Sequence, residues 1–184
     1  MTPTISILIC HLPERKSYLD FLLSRLKHQV IERPVEILIA DQPRGMSTGD
    51  KRNYLVGLSK GEYVCFVDDD DLVSSSYVDK ILRALKTKPD CVGITGKYLV
   101  KGQNEWSFRH SITVERWCKD KMRRIYFRTP NHLNPIKREI VVKCPFPSVT
   151  FGEDRAFSDA IRPLLKTEIY IEPPIYYYYF VKDK

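Results

Sequence analysis

A chain of 184 residues is the size of one domain with a well-filled core, and 43% hydrophobic with 29% charged residues excludes disordered, collagen-like and coiled-coil-rod classes. The net charge of +7 favours anionic partners, whether nucleotides, nucleic acid or acidic lipid, without choosing among them. The five cysteines (Cys10, Cys65, Cys91, Cys118, Cys144) are odd in number and lack the close pairing of structural zinc, so they read as buried thiols in a reducing compartment.

Residues 4–10, TISILIC, form a continuous β-branched run, as expected of a strand covered on both faces. The run is too short to cross a bilayer, and no other apolar stretch approaches ~20 residues, so a soluble cytoplasmic protein is expected. A helix follows, with Leu19, Leu22, Leu23 and Leu26 on one stripe, then a second buried strand over 35–40. Thr48 to Leu58 reads as a helix with Ser47 or Thr48 as its cap, and 62–67 as a third strand after Gly61, a helix stop. Tyr77, Val78, Ile81, Leu82 and Leu85 share a helical face that ends at Lys88-Pro89, and 91–100 is another strand. Repetition of strand and helix predicts an α/β fold with a mainly parallel sheet.

The second half is less regular. Residues 96–112 suggest a hairpin, 112–125 a basic amphipathic stretch, and 132–144 a strand running into a short helix. A longer helix begins at Gly152-Glu153-Asp154, with Ala156, Phe157, Ala160, Ile161 and Leu164 in register, and the chain closes on two strand-like runs, TEIYI and IYYYYF. The layout is one domain over 1–184: a nucleotide-sized half up to residue 100 and an appended half, 101–184, for a second substrate.

In open α/β sheets ligands bind outside the carboxyl ends of the strands. Here those ends carry His11, Glu14 and Arg15, then Asp41 and Arg44, then Asp68, Asp69, Asp70 and Asp71. Like charges ~4 Å apart repel by about 1 kcal/mol even in water, so four adjacent aspartates call for a cation, and Mg²⁺ or Mn²⁺ shared with substrate phosphates suits hard oxygen ligands. The structural alternative is an acidic turn capping a helix that starts near Ser74. The segment Thr48 to Asn53 offers a helix N-terminus with Lys51 and Arg52 for a diphosphate, or merely a solvated helix face. Asp154 at the start of the last long helix is either a dipole partner or a general base for a hydroxyl nucleophile.

In their order, Asp41, Lys51-Arg52-Asn53, Gly61-Glu62-Tyr63-Val64, Phe66-Val67 with Asp68 to Asp71, and Gly152-Glu153-Asp154 resemble the family 2 glycosyltransferases of GT-A fold. The resemblance implies a Rossmann-like three-layer α/β/α domain and a metal-dependent, inverting transfer of sugar from a nucleoside diphosphate, commonly uridine diphosphate, to an acceptor hydroxyl. It implies that His11, Arg15 and Asp41 line the base and ribose, and that Arg52 lies near the nucleotide or its phosphates. Asp68-Asp69-Asp70 becomes the DxD motif, with Asp68 toward the ribose, Asp68 and Asp70 at the metal, and Asp71 supporting the loop. Asp154 becomes the catalytic base and Glu153 an acceptor-side carboxylate. Residues 1–100 would then bind the nucleotide sugar and 101–184 the acceptor, be it glycan, lipid, protein or nucleic acid.

The chain departs from the family in carrying Asp41-Gln42-Pro43-Arg44 where members often have Asp-Asp-Gly-Ser, and it lacks the Gln-x-x-Arg-Trp motif of processive synthases. It is also shorter than many relatives, which leaves the acceptor region reduced or completed by a partner. Asn131, His132 and Asn134 are candidates for sugar contact or for a satisfied loop, and Tyr176 to Tyr179 for a stacking face or a packed terminal strand. Two rivals remain. Lys119, Lys121, Arg123 and Arg124 beside Trp117 and Tyr126 suggest a nucleic-acid-binding module, or contact with an anionic surface, and metal-bound carboxylates would also serve a nucleotidyltransferase.

Overall fold

The computed structural model describes residues 2–40, 45–100 and 103–180. In chain order the elements are β1 (Ile5–Cys10), α1 (Lys16–Val30), β2 (Val35–Ala40), α2 (Thr48–Leu58), β3 (Tyr63–Phe66), β4 (Leu72–Val73), α3 (Tyr77–Ala84), β5 (Cys91–Val100), β6 (Gln103–His110), β7 (Cys118–Asp120), β8 (Ile125–Arg128), β9 (Ile136–Lys137), α4 (Arg138–Val141), α5 (Glu153–Ile161) and β10 (Glu168–Phe180).

The strands join one sheet. β1 lies between β2 and β3, parallel to both, with Ile7 opposite Ile37 and Cys65. β9 continues antiparallel from β3 to the start of β5. β5 then pairs antiparallel with β6 and, along its other edge, parallel with β10. Helices cover both faces, because alternate strand residues point to opposite sides. Ile5, Ile7 and Ile9 pack with Leu19, Leu22 and Leu26 of α1 and with Tyr77, Val78 and Ile81 of α3. Leu8, Val64 and Phe66 face the other way, against Leu55 and Val56 of α2 and Phe157 and Ile161 of α5. This is the expected α/β/α sandwich in a single domain.

Four readings need correction. β2, expected to be buried, lies at the end of the sheet, with Ala40 buried but Val35 to Leu38 only partly covered and Ile39 exposed. The closing runs TEIYI and IYYYYF are one strand: β10 carries Glu172-Pro173-Pro174 through a register shift between Ile171 and Tyr176 while remaining paired with β5. The prolines read as a break because they cannot donate to a ladder, yet a bulge accommodates them. The basic stretch 112–125 is not one amphipathic element, since it contains β7 and enters the antiparallel β7–β8 pairing. The cysteines are all free, but Cys118 is exposed and Cys10 only half-buried. The short β4, paired with Tyr176 and Tyr177 of β10, has too few residues to show a periodicity.

Buried polar side chains tie the second half together. His110, at the end of β6, is fully buried and its Nδ1 lies 3.2 Å from Asn134 Oδ1. The Asn134 amide donates to the Val92 carbonyl, so its oxygen faces the ring, and Nδ1 must carry the proton. Burial, assisted by Arg128, pushes the imidazole well below its usual range, so it stays neutral in the fold. The unfolded chain takes up that proton near pH 6.5 while the folded chain does not, so stability falls as the pH drops below about 6.5, by up to about 1.4 kcal/mol per unit from this group. His110→Gln is expected to remove that part of the slope, as measured by urea unfolding of both proteins at pH 7 and pH 5.

Candidate active site

The carboxyl ends of β1 and β3 open on a pocket of about 360 Å³. Its walls are His11, Leu12 and Arg15 after β1, Thr48, Lys51 and Arg52 from the first turns of α2, Asp68 to Asp70 after β3, and Thr150 and Phe151 ahead of α5. A second cleft, about 340 Å³, lies beside Gly61, Glu62, Lys88 and Lys137 at the opposite ends of the strands. Strand polarity favours the first as the site of chemistry.

The α2 wall is held closely. Ser47 caps the helix by accepting from the Asp50 amide at 3.1 Å, and Asn53 exchanges two hydrogen bonds with the Phe146 backbone, at 2.8 and 2.9 Å. Gly49 allows the loop 147–149 to press on the helix, its amide donating to the Val149 carbonyl at 3.1 Å. A Cβ on Gly49 would stand 1.8 Å from the Pro147 oxygen. Gly49→Ala is therefore expected to force α2 and this loop apart and to cost about 1–3 kcal/mol, read as a lowered thermal midpoint.

The aspartates divide by direction. Asp69 is buried and bonded to His11 Nδ1 (2.9 Å), the Leu12 amide (3.1 Å) and Arg15 (3.2 Å). Asp71 is buried beneath the loop, accepting from the Tyr176 hydroxyl at 2.7 Å and the Tyr179 amide at 2.9 Å. Burial, with Asp68 adding to it, raises the proton affinity of Asp71 well above the carboxylate norm. Asp68 and Asp70 are the two partly open members, with side chains 28% and 38% exposed. The acidic cluster is thus half scaffold, and no helix begins on it, since α3 starts at Tyr77.

Asp68 spends both oxygens within the protein. Arg52 Nη2 lies 3.2 Å from one and His132 Nε2 3.4 Å from the other. Burial alone would raise its proton affinity, but Arg52 and His132 outweigh that and hold the carboxyl below the ordinary range. Asp70 is the opposite case. Among the described residues its ion pair is with Arg15 at 2.9 Å, and burial together with Asp68 and Asp69 leaves its proton affinity raised.

A divalent cation fits this donor set in one way. Among the described residues no group of three or more His, Cys, Asp or Glu side chains could form a protein cage. Asp70 offers a carboxylate at the pocket whose negative charge is incompletely balanced, suited to a cation held by one or two carboxylates plus phosphate oxygens. Asp68 stands beside it with its oxygens already engaged, so Asp70 is the better ligand of the two.

Arg52 is 3% exposed, and its guanidinium lies 4.8 Å from the Phe66 ring centroid and 5.8 Å from that of Phe146. Its Nε points at Glu153 Oε1, 3.4 Å away. Its charge is thus divided between two carboxylates, whereas the neighbouring Lys51 reaches only the His11 carbonyl, at 3.4 Å. The solvated-face reading fails for both, since Lys51 is 5% exposed. Glu153 and Asp154 open α5 after Gly152, whose φ of +82° lies in the left-handed region that favours glycine. Glu153 turns inward. Asp154, half-buried, accepts from the Arg155 amide at 2.8 Å and does not line the pocket with Asp68. It acts instead on Tyr98, in a layer where Tyr98 stacks on Tyr178 at 4.8 Å and Arg128 lies 4.5 Å from the Trp117 ring.

Asp41 and Arg44 lie outside the described residues. Asn131, His132 and Asn134 are buried, and of these His132 reaches the site, through Asp68. Tyr176 is packed rather than open for stacking, but its hydroxyl accepts from the Asp68 amide at 3.1 Å as well as donating to Asp71. Sequence reasoning missed this role and that of Thr150 and Phe151, because neither is marked by charge or spacing.

A parallel β2–β1–β3 core with an acidic loop at its carboxyl end, which Glu153 of α5 reaches through Arg52, is the arrangement of a Rossmann-like GT-A fold. The profile described as "Glycosyl transferase family 2" matches residues 42–144, more than half of the chain, and the chain belongs to that family. No curated protein matches the sequence significantly. Among solved structures, residues 1–349 of S. aureus TarS in complex with UDP-GlcNAc superpose with a TM-score of 0.70 at 14% identity, covering 98% of this chain and 60% of that one. The same protein in complex with UDP gives 0.68 at 14%, covering 96% and 60%. This chain therefore spans about 60% of the length of those chains, and the likeness shows the fold.

Proposed function

We propose that this chain is a metal-dependent, inverting glycosyltransferase that moves a sugar from a nucleoside diphosphate to an acceptor hydroxyl. The observation that carries the reading is a pocket of about 360 Å³ in a family 2 fold, walled by Asp68, Asp69 and Asp70, of which Asp68 and Asp70 are partly open. That volume is of the size that holds a small ligand. A uridine diphosphate donor is proposed because the similar TarS structures hold UDP-GlcNAc and UDP.

In this reading His11, Arg15 and Asp41 border the nucleoside, and Asp68 faces the ribose. Asp69 holds the loop after β1 in place through its bonds to His11, Leu12 and Arg15. Asp70 would hold Mn²⁺ or Mg²⁺. When bound, that ion supplies charge neutralisation for the departing diphosphate. Asp154, next to Glu153 on α5 and outside the pocket lined by Asp68, would take the proton of an acceptor hydroxyl as the bond to the sugar forms. A base on one side and a leaving group on the other give one displacement and inversion. Residues 1–100 supply most of the donor pocket, while 101–184 carry the acceptor side and lend Thr150 and Phe151 to the donor.

The test is thermal unfolding with UDP, UDP-sugars and control nucleotides, each with and without Mn²⁺. A ligand at ~100 times its dissociation constant adds about 2.7 kcal/mol. A shift with UDP that needs Mn²⁺ is expected. No shift with any nucleotide would remove the reading.

A further inference from the structure

The donor side and the base-bearing helix are joined by one buried chain of charge. Arg52 Nη2 contacts Asp68 at 3.2 Å and its Nε contacts Glu153 at 3.4 Å, both longer than the 2.7–2.9 Å of a close charge-assisted bond. Its third nitrogen, Nη1, is buried with no partner among the described residues. The guanidinium is confined by the rings of Phe66 and Phe146. It thus stands between two carboxylates and against two rings, with neither carboxylate contact close. A second link runs alongside: Phe66 meets Phe146 edge-on at 5.6 Å, and Phe146 stacks on Phe157 of α5 at 4.1 Å.

We propose that Arg52 is a positioning residue that couples occupancy of the donor pocket, felt at Asp68, to the first turn of α5, where Glu153 holds the helix that presents Asp154. The proposal rests on the reading of the pocket as a nucleoside diphosphate site. Glu153 is the helix's own handle, since it is 6% exposed and Arg52 is its partner. A ligand that engages the Asp68 carboxylate changes what Asp68 offers to Arg52, and the guanidinium then closes on Glu153. A planar fork with several fixed donors is pre-organised to serve two carboxylates at once, whereas a lysine ammonium is a point charge on a flexible stem.

The experiment is amide hydrogen exchange by mass spectrometry on the full chain, free and with UDP plus Mn²⁺, following peptides that span 150–161. In the wild type, UDP with Mn²⁺ is expected to slow exchange in the first turn of α5 by about tenfold. Glu153→Gln, similar in shape, is expected to bind UDP with Mn²⁺ within about threefold of wild type by calorimetry but to lose that protection. Arg52→Lys is expected to weaken UDP binding and lose the protection too, and it serves as the second test should Glu153→Gln not fold. A purely structural ion pair would speed exchange equally with and without ligand, leaving the UDP-induced difference intact. That result, or a wild type that binds UDP with no change in α5, overturns the coupling while leaving the donor site standing. A wild type that binds no UDP overturns the donor site, and the coupling falls with it.

Discussion

Asp154→Asn is expected to retain binding of UDP with Mn²⁺ and to lower sugar transfer by about 10²–10⁴-fold, the range a positioned general base supplies. Its place explains the separation of effects. Asp154 is not part of the pocket lined by Asp68 and Asp70, and among the described residues its hydrogen bond is with the adjacent Arg155 amide. The amide of asparagine can still accept that bond, so α5 should keep its start, and the isosteric change removes proton acceptance alone. Steady-state transfer and calorimetric UDP binding on the same preparation check this. Unchanged transfer would show that the proton leaves by another route.

Asp70→Ala is the second large effect: the Mn²⁺-dependent part of the UDP-induced thermal shift should vanish, a loss of about 2.7 kcal/mol of ligand stabilisation at ~100 times the dissociation constant. The unliganded variant should be no less stable than wild type. Asp70 carries a raised proton affinity, so its charge is on balance unfavourable in the fold, with burial and the neighbouring Asp68 and Asp69 outweighing the help of Arg15. Asp71 offers the contrast. It is bonded to Tyr176 and Tyr179, so Asp71→Ala should lower the melting temperature of the unliganded protein, whereas Asp70→Ala should act only when nucleotide and metal are present.

Much of the architecture is legible because burial on two faces leaves apolar runs in β1 and β3, and burial on one face leaves helical stripes in α1 and α3. The α2 boundaries, Thr48–Leu58 with Ser47 capping, follow from local signals and match the expectation. What escaped is non-local. β10 looks interrupted because Pro173 and Pro174 break its pattern, although its partner β5 spans the gap. The acidic run is conspicuous in sequence, but four identical letters cannot reveal that Asp69 and Asp71 turn inward while Asp68 and Asp70 turn out. That division depends on His11, Arg15, Tyr176 and Tyr179, up to 108 positions away. Arg52 is marked by its neighbours as a phosphate ligand, yet contact with Glu153, 101 positions later, directs its charge inward.

The hydroxyl of Tyr176 holds both ends of the acidic loop, the amide of Asp68 and the carboxyl of Asp71, from a strand 108 positions further along the chain. The acidic loop is therefore not held in this form until β10 has been made and has docked along β5. A fragment ending at residue 100 would keep the acidic loop with His11, Arg15 and Arg52, but lose the bonds from Tyr176, Tyr179 and His132. Complementation by a separately supplied 101–184 piece would restore ligand capture only insofar as β10 docks along β5.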